Sequence, residues 1–210
     1  MAITDLASLK TAINVWADLG NTLDDQLADV VQMTTHMLNY GSEEMSPLRV
    51  REMETVATLT PTNGICTLPT DYLQYRRVTV PSSLRRELSY ITPSISDDLY
   101  PDRGSGSSCN FTIIGSSLYT FPLTSSDVEL TYYQKISELV DDADTNWLLT
   151  AHPLIYLHGA LFNVAMIEQW DGLQSRSAAM LRTLVSGLMT TNELGNYAYA
   201  PSRVRGITVA

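Results

Sequence analysis

Apolar residues recur at steps of three and four through Leu6, Leu9, Ile13 and Trp16. That period predicts a first helix over residues 4–19, stopped by Gly20. A second helix is predicted from Thr22 as cap, with Asp24 and Asp25 in the first turn, where negative charge suits the helix dipole. Its stripe is Leu23, Leu27, Val30, Val31, Thr34, Met37 and Leu38, and Gly41 ends it. So short a connection implies an antiparallel or sharply bent pair. From Glu43 the period changes. Residues 49–59 fit helix or strand, but ETVATL and ICTLP flank Asn63-Gly64, a pair that supports the positive φ angles of a hairpin turn. Further strands are predicted at 74–80 and 84–90, a short helix at 93–99, a flexible loop at 103–108, and a hairpin of 111–114 with 118–121. Val128, Leu130 and Tyr132 then alternate with Glu129, Thr131 and Tyr133 as a last strand.

Asp141, Asp142 and Asp144 break that alternation. Trp147 to Leu149 fit one helical turn, and Pro153 is placed as the first residue of a helix running to Trp170, where its missing N–H is harmless. Leu154, Leu157, Leu161, Val164 and Ile167 are its apolar positions. Gly159 and Ala160 permit close approach of a neighbouring helix and are the candidate subunit-packing residues. Residues 173–191 form a fourth helix with Leu173, Ser177, Met180, Leu181, Leu184 and Leu188 as its stripe. From Gly195 the chain keeps neither period and reads as an extended arm. The expected fold class is α+β, predominantly α: a four-helix bundle with an inserted small antiparallel β-sheet or barrel and an extended C-terminal arm. Residues 1–42 supply helices one and two, 43–140 the β-rich insertion, 141–192 helices three and four, and 193–210 the arm.

Charge changes this picture more than composition does. The 210 residues carry a formal charge of −10, and a surface of that sign repels nucleic acid, so sequence-specific DNA binding is not expected. The charge is uneven: seven acids stand against Lys10 alone up to residue 46, whereas Arg203 and Arg205 follow Glu193 with no further acid. No apolar run approaches the roughly 18 residues of a membrane span, and the N-terminus has no signal-peptide pattern, so a cytoplasmic product is expected. Cys66 and Cys109 form no metal-type pair and are expected as reduced, partly buried thiols.

Candidate chemistry is sparse. His152 and His158 are too far apart in sequence for the i, i+4 zinc arrangement, and His36 stands alone. There is no G-x-S-x-G elbow, and Gly104-Ser105-Gly106-Ser107-Ser108 lacks both the lysine of a phosphate loop and the third glycine of a dinucleotide fingerprint. Adjacent acids at Asp24-Asp25, Glu43-Glu44, Asp97-Asp98 and Asp141-Asp142 suit solvated turns better than a cleft with one desolvated carboxyl. Arg76-Arg77 and Arg85-Arg86 are expected to send one arginine to each face of a strand. No catalytic residue, cofactor site or metal ligand set emerges. The arm is different: Tyr197, Tyr199, Arg203 and Arg205 are residue types that dominate interfaces, on a segment too poor in apolar surface to fold alone.

Three motifs, Leu68-Pro69-Thr70-Asp71-Tyr72-Leu73 followed by Arg76 and Val78, Leu130-Thr131-Tyr132-Tyr133-Gln134-Lys135, and Asn146-Trp147-Leu148-Leu149 leading to the run from His152 to Leu161, occur in an order and spacing that resembles the head-to-tail adaptor (connector, or head-completion) proteins of tailed bacteriophages. The resemblance spans the chain. It implies a structural, non-enzymatic virion protein, made in the host cytoplasm, that forms a homo-oligomeric ring, twelve-fold as portals are, beneath the portal protein. The helices would form the wall, the sheet would face a tail, nozzle or stopper protein, and the arm at Tyr197, Tyr199, Arg203 and Arg205 would dock on the portal. Twelve chains at −10 carry −120, and acids in excess on a channel wall let genomic DNA pass without sticking. A tail-completion or terminator protein is the alternative within this class, and a small cell-wall hydrolase the alternative outside it.

Overall fold

The computed structural model describes residues 2–20, 23–43, 45–81 and 86–197, without the side chains of Asp24 and residues 194–197. Thr22, the expected helix cap, and Arg85 lie outside the described residues. The fold is α+β, and the described residues form six α-helices and two four-stranded sheets. It divides into two compact units, Met1–Arg51 with Ile136–Ala210, and Glu52–Lys135.

In the first unit, helix α1 (Leu6–Ala17) opens on a capping box in which the Asp5 carboxylate accepts from Ser8 N and the Ser8 hydroxyl accepts from Asp5 N. Two more of its orphan N–H groups, from Leu6 and Ala7, donate to the carbonyls of Asp144 and Asp142. The acidic turn is therefore structural: Asp144 Oδ2 accepts from Val140 N and Asp141 N, which holds its pKa below the usual value, and Asp142 pairs with Lys10 at 2.7 Å. Helix α2 (Leu27–Tyr40) starts later than predicted, because a 3-10 turn at Asp24–Gln26 precedes it.

The short helix α4 (Trp147–Ala151) leads into α5 (Pro153–Ile167), which is apolar almost all round and hence buried. Helices α1, α2, α4 and α6 (Asp171–Tyr197) all pack on α5. Helix α6 runs six residues beyond the predicted end at Thr191, so the first part of the expected arm is helical. The hydrophobic stripe fades there, while Asn192, Glu193 and Leu194 are compatible with a helix on propensity alone.

The second unit holds α3 (Pro93–Leu99), as predicted, and eight strands: β1 (Glu54–Leu59), β2 (Ile65–Thr67), β3 (Tyr72–Val80), β4 (Arg86–Glu87), β5 (Ser89–Tyr90), β6 (Asn110–Ile114), β7 (Ser117–Phe121) and β8 (Val128–Gln134). They form two sheets, ordered β1-β8-β3-β4 and β2-β7-β6-β5, instead of the single sheet or barrel expected; the β5–β6 pair is parallel. The Asn63-Gly64 turn is present, with both residues at positive φ and Thr62 and Ile65 exchanging two backbone bonds. Its flanking strands nevertheless separate, β1 pairing with β8 and β2 with β7. Pro61 follows Thr62 outward along the arm of the turn, and without an N–H it cannot extend the ladder. Leu59, Val78, Phe111, Leu118, Val128, Leu130 and Tyr132 belong to the core of this unit.

Candidate docking surfaces

The residues expected to serve subunit packing are used inside the chain. Ala160 is fully buried, and a Cβ at Gly159 would run into the Thr34 methyl of α2. The neighbouring helix that Gly159 admits is thus α2 of the same subunit, which corrects the expectation for Gly159 and Ala160. Thr34 is fixed from two further sides: its hydroxyl donates to Val30 O at 3.0 Å and accepts from Asn163 Nδ2 at 3.0 Å, one turn along α5 from Gly159.

A second buried network orients the start of α5. Thr35 Oγ1 donates to Val31 O and Asn146 Nδ2 donates to Tyr156 Oη at 2.8 Å, so the Tyr156 proton is directed to Thr35 Oγ1 at 3.2 Å. Asn146 also donates to Ser137 O and accepts from Leu149 N as the cap of α4. Asn39 Oδ1 accepts from Ile136 N at 2.9 Å. Thr35, Asn39, Asn146 and Tyr156 are all buried, and sequence periodicity assigned none of them a role.

The histidines are dispersed. His36 lies against Tyr40 with ring centroids 4.6 Å apart, and His158 meets the edge of Trp16 at 6.1 Å. Burial pushes the His158 pKa down, and its Nδ1 is without a hydrogen bond. Among the described residues no three His, Cys, Asp or Glu side chains gather as a metal site. Cys66 is buried and Cys109 exposed, both unpaired; burial, with the charge of Asp127, pushes the Cys66 thiol up to about 11. In the β unit a cleft of ≈ 690 Å³ is lined by Asn63, Arg86, Ser105, Ser107, Ser108 and Ser126 among others. Among the described residues, no imidazole or carboxylate lines it to take a proton from those hydroxyls.

Arg76 and Arg77 depart from the one-per-face expectation. The β3–β8 register shifts between Tyr75 and Arg77, and this bulge makes Arg76 the extra residue. Arg76 Nε lies 3.1 Å from Glu54 Oε1 and its guanidinium stands over the Tyr133 ring, on the face away from Leu130 and Tyr132. Arg77 is paired with Thr131, two residues from Tyr133 and so on the same face.

Several large apolar side chains of the helical unit stay at the surface, among them Trp16 at 60%, Tyr40 at 50% and Met180 at 42% exposure. Of the arm residues, Tyr197 is the last residue of α6, while Tyr199, Arg203 and Arg205 lie outside the described residues. Residues 4–205 match the SU10 adaptor protein family. The chain belongs to that family of phage head-to-tail adaptors. No curated protein matches the chain. The match takes in both units of the adaptor and reaches Arg205, so it extends beyond α6 into the segment read as the arm. It also makes the adaptor a structural component of a phage virion. Among its described residues, no helix is long and apolar enough to cross a membrane.

Proposed function

We propose that this adaptor assembles as a ring under the portal vertex, joins the capsid to the tail and continues the DNA channel. The observation that carries the reading is the family match over residues 4–205. In this reading the four long helices act as a bundle that forms the ring wall, the β unit turns toward tail, nozzle or stopper proteins, and the segment after Tyr197 docks on the portal. The charge of −10 per chain favours a channel through which DNA slides without being held. A dodecamer matches the symmetry of a portal.

The test is removal of residues 198–210, which leaves α6 whole. Binding of the truncated adaptor to purified portal rings is expected to fall at least tenfold, and particles built with it are expected to lose packaged DNA. Full portal binding together with normal DNA retention would overturn the docking role of the arm.

A further inference from the structure

The serine-rich loop 104–108 has no part in the proposed assembly, yet the fold holds it as a wall of the ≈ 690 Å³ cleft in the β unit. Gly106 N donates to Leu123 O at 2.9 Å and Leu123 N to Gly104 O at 3.0 Å, so the loop is pinned to the segment after β7. Ser108 Oγ, from a buried position, donates to Pro122 O at 2.6 Å. The Asn63-Gly64 turn closes on the same segment: a Cβ on Gly64 would run into Leu123, and glycine alone allows so close an approach. Ser126 N donates to Thr124 Oγ1 at 3.0 Å and shapes the remaining wall. The cleft is thus built by three tied loops.

Among the described residues that line it, Arg86 is the one charged side chain. Arg86 Nη1 donates to Ser107 Oγ and to Cys109 Sγ, each at 3.3 Å. These bonds orient the guanidinium and leave Nε and Nη2 without a partner among the described residues. The hydroxyls of Ser105, Ser125 and Ser126 are likewise unbonded there, and a hydroxyl can turn its O–H toward an acceptor. Asp127 follows Ser126 but does not line the cleft; its carboxylate accepts from Thr60 Oγ1 at 2.9 Å. We infer that the cleft is a binding site for the phosphate group of a small phosphomonoester. A guanidinium fork suits carboxylate and phosphate alike. A phosphate ester, however, presents its free oxygens in three directions and can meet donors on three walls, whereas a carboxylate presents two in one plane. The volume lies within the roughly 300–1,000 Å³ of small-ligand sites and leaves room for an organic group beyond the phosphate. A nucleic-acid strand is opposed by the charge of −10, which repels a polyanion far more than a single phosphate held at Arg86. This site is independent of how the adaptor assembles.

The test is an NMR titration of the isotope-labelled full-length chain with inorganic phosphate and then with glycerol phosphate, at constant ionic strength and with sodium chloride as the blank. Saturable shifts are expected at the amides of Gly64, Gly106, Ser107 and Ser126 and at Arg86 Nε–H. The expected dissociation constant is on the order of 1–10 mM for phosphate, and lower for the ester. Arg86→Gln is expected to weaken binding about tenfold or more, and Arg86→Lys, which keeps the charge but loses the fork, to weaken it less. Arg86 is exposed, and the spectrum of each variant checks its fold. Ser105→Ala with Ser126→Ala keeps the arginine and is expected to weaken binding roughly fivefold, as loss of neutral hydrogen bonds does. Absence of saturable shifts, or equal affinity for acetate, would overturn the inference. So would tighter binding of a single-stranded oligonucleotide than of the ester, or phosphate binding that Arg86→Gln leaves unchanged.

Discussion

Gly159 shows how one missing atom decides a helix contact. Alanine at this position would gain up to about 1 kcal/mol of helix propensity. The new Cβ meets the Thr34 methyl, however, and Thr34 is held by Val30 and Asn163 and cannot rotate away without breaking those bonds. Overpacking of this kind costs about 1–3 kcal/mol. Gly159→Ala is therefore expected to lower stability by about 1 kcal/mol in urea denaturation. Adding Thr34→Ser removes the methyl but keeps the hydroxyl, and the double variant is expected to recover the loss. His158 supplies a pH-dependent case. Its pKa is lowered in the fold from 6.5 by burial, so the unfolded chain binds a proton more readily than the native one. By linkage, stability rises with pH wherever the unfolded state binds more protons. The contribution of His158 is thus complete above about 6.5 and is lost as pH falls below it. Melting temperature is expected to drop on acidification through this range, and His158→Gln is expected to flatten that part of the curve.

Helices α4 and α5 depend on a single polar side chain between them. Asn146 caps α4, bonds Tyr156 and holds Ser137 O. Asn146→Ala is expected to cost roughly 2–4 kcal/mol, a lost cap together with buried groups left without partners, whereas Thr145→Ala next to it costs little; chemical denaturation of both separates cap from neighbourhood. The turn at Trp147–Leu149 was read from the sequence, but neither its Asn146 cap nor the bond to Tyr156 was, because a tyrosine at an apolar helical position gives no sign of its hydroxyl partner. The same limit governs the sheets. Alternation identified β8, and the turn at Gly115 identified the hairpin of β6 and β7; both are local signals. Partner choice is non-local: Asn63-Gly64 makes its turn, yet β1 and β2 go to different sheets, and nothing in either strand states that. A bulge is equally silent, which is why Arg76 and Arg77 share a face against expectation.

At the scale of the molecule, the β unit is built as an insertion. Its first strand begins at Glu54 and its last ends at Gln134, and the two are adjacent, with Glu54 opposite Tyr133. Directly opposed residues of an antiparallel pair lie about 5 Å apart, so the chain leaves the helical unit and returns to it at nearly one point. Each unit has its own core: α5 with the helices around it on one side, and the cluster that includes Phe111, Leu118, Leu130 and Tyr132 on the other. Two deletions follow from this. A chain in which residues 52–135 are replaced by a short Gly-Ser linker is expected to keep its helical circular dichroism and to unfold in one cooperative transition, because the Asn39–Ile136 and Asn146–Tyr156 bonds all lie outside the excised segment. The excised segment 52–135, expressed alone, is expected to fold with protected amides in β8, the central strand paired on both edges with β1 and β3. Loss of cooperative unfolding in the linker variant would instead mean that the sheet unit is required for the helices to hold their packing.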